Sequence, residues 1–238
     1  MKAVILAAGD GGRLGALTRD RPKPLIEVGG SPIITYTLDA LRAAGIRDVA
    51  VVIGYRAGQL GEALAAQSPL PLSFIYNPRF REGASLSLAT ARAWAGQDPF
   101  LLLMSDHLLS EPIIRALLAA RAPAPAGTSF VAADSPHRWP HDYCEEATRL
   151  VLDPDGFVTA IGKRLDPYHA LDTGAFLLDP AAWAALDAAP ESCELSTIFA
   201  ILAARRTLRA VDIGGAPWFD IDTSADLAAA ETHLAARP

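Results

Sequence analysis

Lysine is almost absent from this chain of 238 residues. Lys2, Lys23 and Lys163 are its lysines, and arginine fills every other cationic position. A lysine kept in such a background suggests a site that wants a compact point charge rather than a planar fork. Cysteine is equally scarce. Cys144 and Cys193 lie far apart and form no CxxC pair, which speaks against a disulfide framework and reads as two reduced thiols of a cytoplasmic protein. Positive charge is not in excess. A net charge of −6 argues against a general nucleic-acid binder, although a local cationic site is compatible with it. Long apolar runs are missing too. The stretch Phe100–Met104 is strand-sized, far short of a membrane span, so no membrane insertion is expected. Lys2 is followed at once by a strand and a glycine turn, which predicts no secretory leader.

What is present is a large apolar fraction, 51% of residues, ample for one large α/β domain or two small ones. The run from Ala3 to Ala8 is continuously apolar and reads as a buried strand. Further strands are expected at 48–53, 72–76 and 100–104, alternating with helices at 32–44, 58–66, 83–94 and 111–121. For the first helix, Ser31 is the expected N-cap, Pro32 the first helical residue and Gly45 the stop. This short-looped β-α-β-α rhythm predicts a doubly wound sheet, mostly parallel. After the Pro/Ala loop at 122–127 the texture changes. Strands are expected at 128–133, 147–152, 157–161, 173–178 and 208–213, with a hairpin turn at 153–156. Helices are expected at 180–188, 195–205 and 224–235. The reading is a single domain, 1–238, with a nucleotide half of about 1–122 and an acceptor half of about 123–238.

The first turn carries the strongest chemical signal. Gly9, Gly11 and Gly12 follow the opening strand, then come Arg13, Thr18 and the block Pro22-Lys23-Pro24-Leu25. A glycine-rich turn lets backbone N–H groups approach phosphate oxygens closely. Arg13 offers a bidentate phosphate donor, and the two prolines stiffen the loop that carries Lys23. Two rival glycine motifs fail. The Walker pattern is absent, and the dinucleotide fingerprint beginning at Gly9 would need glycine where Leu14 stands.

Carboxylates supply the second half of a site. Asp106 follows the strand at 100–104, where open α/β sheets bind ligands. Asp220 and Asp222 differ by two, so both face one side if extended. A triphosphate needs Mg²⁺ to neutralise its oxygens and orient the α-phosphorus. One aspartate from each segment makes a sparse Mg²⁺ site; which of Asp220 and Asp222 takes part stays open, and each aspartate could instead cap a helix or begin a turn. His107 reads as a supporting residue rather than a ligand, because Mg²⁺ prefers oxygen.

These motifs, of the form LAAG-x-G-x-R-L…PKPL, resemble the signature of the nucleotidyltransferases that activate sugar and alcohol phosphates. The segment 77–86 resembles the base-recognition segment of cytidylyltransferases, and the segments 103–110, 146–149, 160–165 and 171–176 are similar to those of CTP:inositol-1-phosphate cytidylyltransferases. The resemblance implies an α/β, Rossmann-like three-layer sandwich with a mixed, mostly parallel sheet. It also implies roles: Leu6, Ala8, Gly9, Gly11, Arg13, Lys23 and Asp106 at the CTP, and Gly83 and Ser85 against cytosine and ribose. Lys163 would meet the acceptor phosphate. Glu146 and Asp172 would meet acceptor hydroxyls, or else be ordinary surface residues. Arg13, Lys23 and Lys163 would act in catalysis, and Asp106 with Asp220 or Asp222 would hold Mg²⁺. The implied partners are CTP and an alcohol or sugar phosphate; a homodimer stays open. Some members of the resembled family carry a membrane-embedded phosphotransferase after this domain. None follows here, so a separate protein is expected to use the product. Three alternatives stand beside inositol-1-phosphate. One is phosphocholine, whose head group needs aromatics such as Trp139, Tyr143, Tyr168 and Trp218. Another is a hexose-1-phosphate with UTP or dTTP. The third is an inactive nucleotide-sensing subunit. A polyol acceptor would draw on Asp134, Arg138, Asp142, Glu146 and Asp172.

Overall fold

Alternation along buried strands gives the main sheet two cores, one on each face, beside a smaller third cluster around Ile33, Leu108 and Ile221. In β1 (Lys2–Ala7), Ala3, Ile5 and Ala7 face one core while Val4 and Leu6 face the other. The same split recurs at 100–104, where Leu101 and Leu103 oppose Phe100 and Leu102. Successive side chains of a strand point to opposite faces, so a strand apolar at every position must be covered on both sides. The computed structural model describes residues 1–235; the side chains of Arg13 and Ala16 lie outside the described set.

After β1 come 3₁₀ turns at Gly12–Leu14 and Lys23–Leu25, a short helix α1 (Ala16–Arg19), and strands β2 (Glu27–Val28) and β3 (Ser31–Pro32). The first half continues with α2 (Ile33–Ala43), β4 (Asp48–Ile53), α3 (Ala57–Gln67), β5 (Leu72–Tyr76), α4 (Ala84–Ala95), β6 (Phe100–Met104), β7 (His107–Leu109) and α5 (Glu111–Arg121). The second half holds β8 (Ser129–Asp134), a 3₁₀ turn Pro136–Arg138, α6 (His141–Glu146), β9 (Arg149–Leu152), β10 (Val158–Gly162) and β11 (Ala170–Leu178). It closes with α7 (Ala182–Ala188), α8 (Leu195–Ala204), β12 (Leu208–Asp212), β13 (Trp218–Asp220) and α9 (Ser224–Ala235).

One nine-stranded sheet runs through both halves. β5, β4, β1 and β6 pair in parallel. β11 then runs antiparallel between β6 and β8, and β12 returns parallel to β8. The hairpin β9–β10 attaches at the start of β11. The sheet is therefore mixed and mostly parallel. Helices α2, α3 and α5 cover one face and α4, α7 and α8 the other, giving three layers. Among the described residues no helix is long and apolar enough to cross a membrane.

Several expectations need correction. Ser31 does not cap α2. It pairs with Val28 in a two-residue ladder, and Pro32 occupies the cap position without a side-chain bond. The segment 136–146, to which the sequence assigned no element, contains a 3₁₀ turn and α6. The ribbon β7–β13 was not foreseen. Its register pairs Leu109 with Trp218, Leu108 with Phe219 and His107 with Asp220.

Candidate active site

The ribbon β7–β13 builds the centre of the site. Asp106 lies in the turn between β6 and β7, and the Ile221 N–H donates to its carbonyl at 3.1 Å. The main-chain ladder, with His107 opposite Asp220, thus carries two carboxylates distant in sequence to one point. One donor atom each from Asp106, His107 and Asp220 falls within a 4.8 Å spread. His107 Nδ1 is 3.0 Å from Asp106 Oδ1, and its Nε2 is 3.8 Å from Asp220 Oδ2. Gly174, at φ 73°, makes room for this ring: a Cβ there would meet it at 2.7 Å. The Asp220 N–H donates to the Tyr143 hydroxyl at 3.2 Å, which fixes the ribbon from the other side.

Lys23 closes the group. Its Nζ donates to Asp106 Oδ2 at 2.8 Å and to Asp222 Oδ1 at 2.7 Å, and the residue is only 6% exposed. Burial alone would lower the lysine, but Asp106, Asp220 and Asp222 outweigh it and raise it. Burial likewise works to raise Asp106, yet Lys23 and His107 hold its carboxyl well below the usual range. For His107, burial is overcome by Asp220 and Asp106, and the imidazole is pushed up to about 9. Asp220 goes the other way: burial, reinforced by Asp106 and Asp222, lifts it to about 6 against His107 and Lys23. Its Oδ1 is buried without a hydrogen-bond partner among the described residues.

The expected nucleotide residues fall into two groups. Leu6, Ala8, Gly9 and Gly11 lie at the end of β1 and in the turn after it. Their order comes from main-chain bonds: Ser105 N–H to Leu6 O at 3.2 Å and Tyr55 N–H to Ala8 O at 2.9 Å. Thr18 secures the turn, its hydroxyl donating to the Gly11 and Gly15 carbonyls at 3.1 and 3.3 Å. Arg13 sits in the same turn, with its side chain outside the described set. Gly83 caps α4. Ser85 is held by the fold itself. It is fully buried, its hydroxyl donates to Glu191 O and accepts from Cys193 N–H, each at 2.9 Å, and so it fastens α4 to the 191–193 segment.

Beside the carboxylates opens a cleft of 1320 Å³, bordered among others by Glu146, Lys163, Asp172, Trp139, Tyr143 and Phe219. Asp172 donates no charge cheaply: burial raises it to about 6, although its Oδ1 accepts the Gly174 N–H at 2.8 Å. Asp134 and Arg138, considered for acceptor hydroxyls, are already engaged. Asp134 is 1% exposed and accepts from Trp139 Nε1 and Trp218 Nε1 at 2.9 Å each, from Ser135 N–H, and from Arg138. It is the hub that sets the aromatic wall, in which Trp139 stacks on Tyr143 at 4.3 Å. Sequence reasoning named Asp134 and Tyr143 only as acceptor contacts and missed the hub, the Lys23 bridge and the Tyr143 bond to the ribbon; only the adjacency of His107 to Asp106 hinted at a cluster. The reason for two of the rare lysines is now visible. Lys2 caps the C-terminal end of α4 through the Trp94 and Ala95 carbonyls at 2.6 and 3.3 Å, and Lys23 compensates the carboxylates.

A glycine turn after β1, a buried lysine, Asp106 after β6 and Asp220 on the antiparallel ribbon form a site that can hold a metal-bound triphosphate. The chain is 34% identical over 235 residues to a bifunctional IPC transferase and DIPP synthase of Rubrobacter xylanophilus, covering 96% of this chain and 51% of that protein. It is 27% identical to the mannose-1-phosphate guanylyltransferase catalytic subunit beta of Drosophila pseudoobscura pseudoobscura, covering 94% of this chain and 60% of the relative. The chain thus spans about half the length of the curated relatives it matches. In structure it superposes on the inositol-1-phosphate CTP transferase from T. maritima with a TM-score of 0.80 at 24% identity, over 94% of this chain and 90% of the other, which speaks to the fold. Residues 3–210 match the MobA-like NTP transferase domain, and the chain belongs to that family.

Proposed function

We propose that this domain transfers a cytidylyl group from CTP to an alcohol phosphate, with inositol-1-phosphate the first acceptor, releasing pyrophosphate. The observation that carries the transfer chemistry is the meeting of Lys23, Asp106, Asp220 and Asp222 beside the glycine turn. The choice of CTP and an inositol phosphate draws on the names of the IPC transferase relatives and of the T. maritima neighbour. Both halves contribute strands to one sheet, which supports their reading as one catalytic unit. Two free cysteines are in keeping with a cytoplasmic setting.

The residues suit Mg²⁺. Asp106 and Asp220 offer hard oxygen donors, and the unpartnered buried Asp220 Oδ1 is an oxygen in want of a cation. When bound, Mg²⁺ supplies charge neutralisation and polarisation of the phosphoryl oxygens. An oxygen of the acceptor phosphate attacks the α-phosphorus in line. The bond from that phosphorus to the bridging oxygen breaks, and pyrophosphate leaves with the electron pair. A phosphate monoester is already a nucleophile, so the protein positions and neutralises rather than forming a covalent intermediate. Lys23 and Arg13 offset charge on the triphosphate and the departing pyrophosphate. Lys163, on the cleft wall, lowers repulsion between two anions that must meet. Glu146 and Asp172 hold acceptor hydroxyls. Gly9 and Gly11 bring main-chain N–H groups to the phosphates, with Leu6, Ala8 and Gly83 shaping the nucleotide side.

A second reading, phosphocholine as acceptor, has one observation in its favour: Trp139, Tyr143 and Phe219 border the cleft and could face a quaternary ammonium. The deciding experiment is pyrophosphate release with Mg²⁺ and each of four nucleoside triphosphates, against inositol-1-phosphate, phosphocholine, glycerol-3-phosphate and hexose-1-phosphates. CTP with inositol-1-phosphate is the expected pair. Turnover confined to UTP or dTTP with a hexose phosphate would refute the proposal.

A further inference from the structure

Lys23 is held from two directions. Its ammonium lies between Asp106 Oδ2 and Asp222 Oδ1. Its stem lies against the glycine turn, where a Cβ on Gly11 would come within 2.8 Å of the Lys23 Cβ and 3.1 Å of Thr18 Cγ2. Gly11 adopts φ 66° there, and Thr18 bonds its carbonyl. The side chain therefore couples the phosphate-binding turn to the metal-binding carboxylates. In this arrangement the lysine is not poised over empty space for a phosphate; it is the counter-ion of the carboxylates.

That placement has an electrostatic consequence. A divalent cation at Asp106 and Asp220 competes with the ammonium for Asp106. A buried ammonium left with Asp222 alone beside a divalent cation is disfavoured, so the exchange calls for a further anion at Lys23. A triphosphate arriving at the adjoining turn is such an anion, and Asp220 Oδ1, buried and unpartnered among the described residues, is an oxygen ready for the incoming cation. We infer that Lys23 is the resident cation of the free site, and that a divalent cation enters at Asp106 only together with a triphosphate, whose oxygens take over the Lys23 ammonium. This rests on the proposed nucleotidyl transfer, and it makes Lys23 a positioning residue for the metal as well as a phosphate ligand.

The scarcity of lysine makes the test direct. Protein labelled with ¹⁵N-lysine carries ammonium signals from Lys2, Lys23 and Lys163, assigned by elimination in Lys2→Arg and Lys163→Arg. Millimolar Mg²⁺ alone should leave the Lys23 signal in place, and Mg²⁺ with inorganic tripolyphosphate should move it. A shift with Mg²⁺ alone, or none with Mg²⁺-tripolyphosphate, would overturn the inference. A non-hydrolysable CTP analogue forms a separate arm: if it fails while tripolyphosphate succeeds, the CTP reading falls and the lysine exchange stands. Lys23→Met gives a second readout. Its affinity for Mn²⁺ without nucleotide, followed by electron paramagnetic resonance, should rise at least about tenfold over the parent. Asp106→Asn in that background should remove the gain. Equal affinity in parent and Lys23→Met, or a gain that survives Asp106→Asn, contradicts the exchange.

Discussion

The carboxylate end of the cleft and its acceptor wall differ in how far their charges are already compensated. At the carboxylate end, Asp106, Asp222, Lys23 and His107 are interlocked at 2.7 to 3.0 Å. On the other wall, Glu146 and Lys163 border the cleft as exposed charges, while the buried Asp134 is saturated by indole and guanidinium donors. The difference teaches where chemistry and selection reside. In the proposed reaction, a preorganised charged cluster would act on the reacting phosphorus, and an open wall with solvated charges would select the partner and tolerate change.

The contrast can be broken from its strongest point downward. Asp106→Asn should lower turnover by on the order of 10³-fold while leaving the fold intact by circular dichroism; retained metal-dependent turnover removes Asp106 from the site. Asp134→Ala should cost about 3 kcal/mol in chemical denaturation, because it strips a carboxylate from several buried donors. If it instead raises the acceptor KM with unchanged stability, Asp134 belongs to the acceptor after all. Lys163→Ala should raise the acceptor KM about tenfold and leave the CTP KM nearly unchanged, as loss of one partly solvated phosphate contact does. An equal effect on both substrates would move Lys163 to the triphosphate.

The smallest effect concerns Asp172. Its carboxyl titrates near 6 in the folded protein, above the unfolded value, so the protonated form favours folding. That stability is fully present below the unfolded pKa of about 4 and is lost as the pH rises through about 6. In metal-free protein, the stability of Asp172→Asn relative to the parent should therefore increase by on the order of 1 kcal/mol between about pH 4 and pH 7. A difference that stays constant with pH would show that Asp172 is solvated.

Legibility in the sequence followed element length and locality. The strands at 48–53, 72–76 and 100–104 stood out because each is a short apolar run bounded by turn residues, and the structure places them at those bounds. The hairpin at 153–156 was readable from Asp153 and Gly156, and Asp153 Oδ1 indeed accepts the Asp155 and Phe157 N–H groups. β7 and β13 were not readable. Three residues are too few to show a period, and their pairing is a long-range main-chain ladder. The aspartates themselves were visible as types at strand ends, but their meeting depends on that ladder. The sequence likewise suggested Lys23 for a phosphate, because nothing local reveals that the fold lays it between two carboxylates. The anchoring of Ser85 was hidden for the same reason: its partners, Glu191 and Cys193, arrive from another segment.

The most direct test asks whether the ribbon places Asp220, rather than Asp222, on the metal. Mn²⁺ is titrated into protein saturated with a non-hydrolysable CTP analogue, and bound metal is read by electron paramagnetic resonance. Asp220→Asn should weaken Mn²⁺ binding at least about tenfold, and Asp222→Asn should stay near the parent. Parent-like affinity in Asp220→Asn, with the loss falling on Asp222→Asn, would contradict this placement of Asp220.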